Sequence, residues 1–126
     1  VEPEIGWKNP VFLYDYPIEL ASLARPKPGC PELAERFELY IGGIELANGF
    51  SELTDPVAQR RRFNEEIRKI KSSGNPHSEK VPEKFLAALE KLPECAGIAL
   101  GLDRLFMLLL ERDCLAEALP FSEDDL

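Results

Sequence analysis

Histidine is almost missing from this 126-residue sequence, cysteine is sparse and basic residues are outnumbered, and each shortage removes a class of function. The only histidine, His77, stands in a loop-forming run with no cysteine, aspartate or second histidine close by. Histidine-centred metal or proton chemistry therefore has no foothold, and a solvent-facing side chain is expected. Cys30, Cys95 and Cys114 are odd in number, widely separated and in no metal-type spacing, which fits reduced thiols. Fifteen lysines and arginines against 23 acids leave a formal charge of −8, the wrong sign for a free-standing nucleic-acid binder, although a local basic patch is compatible with it. No apolar run approaches membrane-spanning length and the N-terminus lacks a signal-peptide layout, so a cytoplasmic protein with no membrane partner is expected. The glycine spacing near Gly101 fails both the dinucleotide and the P-loop patterns.

What is present begins with 44% apolar and 30% charged residues, the balance of a soluble globular chain, and a length that suits one domain over residues 1–126. Its organising stretch is residues 36–53. A Gly42-Gly43 pair between alternating runs reads as a two-residue hairpin loop, setting Ile41 opposite Ile44, Tyr40 opposite Glu45 and Leu39 opposite Leu46. One face then collects Phe37, Leu39, Ile41, Ile44 and Leu46 as a core face, and the other Arg36, Glu38, Tyr40, Glu45 and Ala47. On the polar face Glu38 is the diagonal neighbour of Glu45, roughly 7–8 Å away at Cα, so the two acids repel unless a cation lies near them. Acids simply facing water would be the plain alternative. Asn48-Gly49 further on is an irregularity able to shift strand parity and swing Glu52 to the side of Glu45. Three acids with an asparagine and an aromatic suit a cationic ligand head beside a metal-bound polyphosphate.

Around this hairpin, residues 1–10 read as an irregular arm, Val11 to Tyr14 as a buried strand, and residues 25–31, with three prolines and a glycine, as a loop. Asp55 and Pro56 are a cap and first position for a helix reaching about Ser72, with Phe63, Ile67 and Ile70 as its buried stripe. Its other face carries Arg60, Arg61, Arg62, Arg68, Lys69 and Lys71, either a docking surface or, as preferred, a solvated face partly balanced by Glu65 and Glu66. A second helix starts near Pro82 along Phe85, Leu86, Leu89 and Leu92 and stops at Pro93. Residues 96–100 read as a small-residue strand, and Gly101 turns the chain into a helix buried along Leu102, Leu105, Phe106 and Leu109. Arg104 then sits at the end of the helix dipole that disfavours a cation, which calls for a bound anion or an acidic partner. A short helix, a strand over residues 118–121 and an acidic tail complete the chain.

The run from Glu38 to Pro56, Glu-Leu-Tyr-Ile-Gly-Gly-Ile-Glu-Leu-Ala-Asn-Gly-Phe-Ser-Glu-Leu-Thr-Asp-Pro, resembles the active-site hairpin of the lysine-type class II aminoacyl-tRNA synthetases. Within them it is most similar to the GenX/PoxA branch, lysyl-tRNA synthetase paralogues that attach (R)-β-lysine to elongation factor P. Residues 96–110 resemble motif 3 of the same superfamily, and the likeness runs from about Phe12 to Phe121. Ala99 favours the branch, since lysyl-tRNA synthetases typically carry glycine there. Ala21-Ser22-Leu23-Ala24 does so more weakly, where synthetases proper tend to have Ser-Pro-Leu-Ala.

The resemblance implies an α+β fold, an antiparallel sheet flanked by helices, as part of a class II catalytic domain. It implies an ATP- and Mg²⁺-dependent ligase that forms an aminoacyl-adenylate from lysine or β-lysine and passes the acyl group to elongation factor P. The alternatives are transfer to tRNA-Lys, or a non-catalytic module that keeps the fold. By match to the motifs, Glu38 and Glu45 would hold Mg²⁺ on the polyphosphate, Gly101 would let the strand lie close to the adenine, and Arg104 would bind the γ-phosphate. Asn48, Phe50, Glu52 and Ala99 would form the amino-acid pocket, with Glu52 facing the substrate ammonium. No stretch matches motif 1 or motif 2. The chain is therefore expected to be the C-terminal portion of a catalytic domain, feeble alone, homodimeric when full length, and with an unpaired sheet edge prone to self-association.

Overall fold

Gly42 (φ 59°) and Gly43 (φ 75°) close the central hairpin. A two-residue turn between right-twisted strands requires left-handed backbone at both centres, which glycine adopts without steric cost. The strands it joins, β3 (Cys30–Ile41) and β4 (Ile44–Ser51), form the middle of an antiparallel sheet ordered β1-β3-β4-β5, with β1 (Val11–Pro17) and β5 (Ala96–Leu100) outermost. A two-residue strand β2 (Pro26–Lys27) also pairs with β3. Among the described residues three α-helices complete the α+β fold: α1 (Pro56–Ser72), α2 (Glu83–Leu89) and α3 (Leu102–Leu109). The structure, a computed structural model, describes residues 2–74 and 80–121, so His77 and the acidic tail lie outside the described residues.

The hairpin register holds for the first two rungs, Ile41 with Ile44 and Tyr40 with Glu45, and then shifts. Leu39 pairs with Ala47 and Glu38 with Asn48, so Leu46 is the extra residue of a β-bulge and not the partner of Leu39. The parity change assigned to Asn48-Gly49 thus occurs two residues earlier, with the same result: Asn48, Phe50 and Glu52 share the face of Glu38, Tyr40 and Glu45. The bulged residue is itself used, since Leu46 is buried and its carbonyl accepts the Gly101 amide at 2.9 Å. That bond anchors the β5–α3 junction to β4.

Burial of the two sheet faces departs from the expectation in part: Leu46 is buried as expected, but so are Glu38 and Tyr40 of the polar face. Glu38 is 6% exposed and Tyr40 2%, whereas Phe37, Leu39, Ile41 and Ile44 are only half-buried. Glu38 tolerates burial because four donors surround it, so no charge is left unpaired. On the opposite face the rings of Phe12 and Phe37 stack edge to face at 5.7 Å, while Phe12 (57%) and Ile98 (65%) stay exposed. β1 and α3 are accordingly not the buried elements anticipated: Val11 to Tyr14 is exposed, and in α3 Met107 is buried while Leu102, Phe106 and Leu109 are exposed. The tightest core is small, Ala21, Ala24 and Ala34 with Ile18 and Phe50 packed on it.

Three further expectations change. Residues 25–31 are not all loop: Gly29 (φ 80°) turns the chain so that β2 can pair with β3, and Arg25 bonds Glu35 at 2.6 Å across the junction. Helix α1 starts as expected, with the Asp55 carboxylate accepting the Val57 and Ala58 amides, but its fully buried residue is Gln59, and Phe63, Ile67 and Ile70 are half-buried. Residues 118–121 form no strand; a 3-10 turn, Leu115–Glu117, precedes them and no strand among the described residues pairs there. Along the basic face of α1, Arg60 grips Glu83 with two bonds and Lys69 reaches Glu66, so much of that charge is satisfied locally. No helix among the described residues is long and apolar enough to cross a membrane.

Gly49 shows how tight the centre of the sheet is, since a Cβ there would lie 2.6 Å from the Phe37 ring and 3.1 Å from the Gly97 carbonyl oxygen. Gly49→Ala is expected to lower the unfolding free energy in urea by about 1–3 kcal/mol. Adding Phe37→Leu should recover part of the loss, because the ring is the nearer obstacle.

Candidate active site

The bulge gathers polar side chains onto one face, and Glu38 is their centre. Its Oε2 accepts the hydroxyls of Tyr16 at 2.5 Å and Tyr40 at 2.6 Å, and its Oε1 accepts Arg36 Nη2 at 2.5 Å and Asn48 Nδ2 at 3.0 Å. A carboxylate offers about four lone-pair positions, and all four are used. Burial works against its charged form, but the bonds from Tyr16, Tyr40 and Arg36 more than offset this and hold the carboxyl below its ordinary range. Burial, followed by the hydrogen bond to Glu38 and its charge, pushes the Tyr16 phenol far above its ordinary value, so it remains a neutral donor. Arg36 lies over the Tyr16 ring at 4.6 Å and donates a second bond to the Leu20 carbonyl at 2.6 Å.

Among the clefts that the described residues form on this face, two adjoin at one rung of the sheet. One, of about 430 Å³, is lined by Ser22, Arg36, Asn48, Phe50, Glu52, Gly97, Ile98 and Ala99. The other, of about 270 Å³, is lined by Glu45 to Asn48, Ala99, Gly101, Asp103, Arg104 and Leu115. They share Asn48 and Ala99, which face each other as a rung between β4 and β5. The Asn48 amide donates to Glu38 and, at 3.5 Å, to Glu45, so it lies between the two acids where the sequence reading placed a cation.

The first cleft ends at Glu52, whose carboxylate has no hydrogen bond or ion pair among the described residues. It sits beside Gly97, where an added Cβ would come 3.6 Å from Oε1. With the half-buried ring of Phe50 next to it, this end suits a cationic head on an apolar stem. In the second cleft Arg104, in the first turn of α3, donates to the Glu45 carbonyl at 2.6 Å and pairs with no acid among the described residues. The acidic-partner explanation for its position is therefore not realised, and its exposed charge is left for an anion. Glu45 likewise keeps lone pairs available, unlike Glu38.

Of the residues expected at the site, Glu45, Asn48, Phe50, Glu52, Ala99, Gly101 and Arg104 each line one or both of these clefts, whereas Glu38 lines neither and is joined to them through its bonds with Asn48 and Arg36. The sequence expectation did not include Tyr16, Arg36 and Tyr40 as the shell of Glu38. Alternation did put Arg36 and Tyr40 beside Glu38, but Tyr16 arrives through the β1–β3 register, which includes an irregularity at Asp15 (φ 60°) that no motif signals. A carboxyl depressed in the folded state contributes stability above its ordinary pKa of about 4.3 and loses it as pH falls through the folded value. Unfolding free energy should thus drop on acidification below about pH 4.5, and Glu38→Gln should flatten that limb in urea titrations at several pH values.

The family model described as tRNA synthetases class II (D, K and N) matches residues 4–125. The elongation factor P–(R)-β-lysine ligase of Edwardsiella ictaluri is 49% identical over 125 residues, covering 98% of this chain and 38% of that protein. Proteins of the same name from Klebsiella pneumoniae (48% over 125 residues, 98% of this chain) and Pectobacterium carotovorum (50% over 123 residues, 97%) match similarly, again over 38% of their own lengths. The chain spans about 38% of the length of these curated relatives. With nearly every described residue inside the family match, and the paired clefts falling within it, the chain belongs to the class II tRNA synthetases of the D, K and N group.

Proposed function

We propose that this chain is the C-terminal portion of a catalytic domain that activates a diamino acid, (R)-β-lysine in preference to lysine, as its adenylate and passes the acyl group to a lysine of elongation factor P. The observation that carries the reading is the shared Asn48–Ala99 rung. A carboxylate whose ammonium end rests at Glu52 meets, at this rung, a nucleotide whose phosphates are drawn to Arg104. Attack of that carboxylate on the α-phosphorus forms the acyl–phosphate bond and breaks the bond to pyrophosphate. The chain's contribution is positioning and charge, not a nucleophile.

Glu52 neutralises the substrate ammonium, Phe50 packs on its methylenes, Ala99 narrows the wall, and Gly101 leaves room for the base. Mg²⁺ would offset the polyphosphate charge. Glu45, with lone pairs to spare, fits as its ligand, whereas ligation by Glu38 requires one of its four donors to yield. Other parts of the same reading are an upstream segment supplying motifs 1 and 2, a homodimer when full length, and a cytoplasmic location. The relatives' names favour elongation factor P as acceptor over tRNA-Lys.

The test is ATP–pyrophosphate exchange by the chain extended upstream through motif 2, with lysine and (R)-β-lysine offered separately. Exchange favouring (R)-β-lysine is expected, with Glu52→Gln weakening the amino-acid KM about 100-fold. Ala99→Gly should shift preference toward lysine by about 1–3 kcal/mol. Preference of the unsubstituted protein for lysine would turn the search to tRNA, and no exchange at all would leave a non-catalytic fold.

A further inference from the structure

The segment Ala21-Ser22-Leu23-Ala24 enters the first cleft with a backbone that demands an explanation. Ser22 has φ 54°, a left-handed conformation that is strained for a residue with a Cβ and recurs at functional sites. The turn is held on every side. Ala21 and Ala24 are buried, the Ala24 amide bonds the Ala21 carbonyl at 2.8 Å, and the Leu53 amide bonds the Leu23 carbonyl at 2.9 Å. From α1, Arg62 donates to both the Ser22 carbonyl (3.1 Å) and the Ala24 carbonyl (2.6 Å). Arg62 pairs with no acid among the described residues, so its guanidinium is committed to fixing this turn.

The effect is to hold Ser22 between two charged groups of the cleft. Arg36 holds the Leu20 carbonyl on one side, and the Ala24–Glu52 bridge brings the other side next to Glu52. Ser22 itself is exposed, lines the cleft, and its hydroxyl has no hydrogen bond among the described residues. An ammonium carries three N–H donors, more than Glu52 can accept from one direction, and the neighbouring Phe50 ring offers no lone pair.

On the adenylation reading above, we infer that Ser22 is a specificity-determining residue: its hydroxyl accepts a hydrogen bond from the substrate's side-chain ammonium beside Glu52, and Arg62 is the positioning residue that keeps it there. The pair thereby reads the length of the substrate's stem. The experiment is ATP–pyrophosphate exchange in the full-length protein with (R)-β-lysine, lysine and ornithine. Ser22→Ala, which keeps the Cβ, is expected to raise the amino-acid KM about tenfold while the ATP KM stays within twofold, and to narrow the preference for lysine over ornithine. Ser22→Gly removes the same hydroxyl while relieving the backbone, so it should raise thermal stability and still lose amino-acid affinity. Arg62→Met, which keeps an apolar stem but removes the Nη1 bonds to both carbonyls, should move the amino-acid KM in the same direction.

An unchanged amino-acid KM in Ser22→Ala would overturn the inference and leave adenylation standing, as would equal shifts in both KM values. Absence of exchange in the unsubstituted protein would instead overturn the adenylation reading, and the inference with it.

Discussion

One residue of surplus length in β4 determines what the rest of the sheet can do. Without the bulge at Leu46, Asn48, Phe50 and Glu52 would project from the face opposite Glu45, since side chains alternate along a strand. With it, Asn48 and Phe50 join Arg36, Glu38, Tyr40 and Glu45 on one face, and the carbonyl of Leu46 receives the Gly101 amide. The same insertion that aligns the acids therefore also docks the strand-to-helix junction carrying Arg104. Both clefts depend on that local departure from regular pairing.

Glu38 is the second constraint. A buried carboxylate is costly unless its lone pairs are filled, and filling them here recruits β1 through Tyr16, the neighbouring β3 positions through Arg36 and Tyr40, and β4 through Asn48. The network orients the Asn48 amide and so the wall between the clefts. It also lets Glu38 and Tyr40 be buried, while Phe12 and Ile98 on the other face stay in contact with solvent.

Much of this was legible in the sequence, and the failures have physical causes. The Gly42-Gly43 turn, the Asp55-Pro56 helix start and the strand before Gly101 are local signals, written in residues whose backbone preferences leave few alternatives. The position of the bulge was not legible, because Asn48-Gly49 is the stronger local irregularity and Leu46 is displaced by tertiary demands. Burial was misjudged for a related reason. Hydrophobicity assigns Phe37, Leu39 and Ile41 to the interior, yet the interior forms where hydrogen-bond partners and covering segments are available, and those lie over Glu38 and Tyr40. The strand expected over residues 118–121 is absent, and no strand of the described sheet pairs with that segment.

The single rung shared by the two clefts limits how the site can diversify. Asn48 and Ala99 form the wall of both, so a replacement at either reshapes the two clefts together. Positions that touch only the first cleft, such as Ser22, Phe50 and Glu52, are open to change one at a time. A change at the far end of that cleft therefore acts on one cleft alone, whereas a change on the rung, even by a single methyl group at Ala99, is felt on both sides of it.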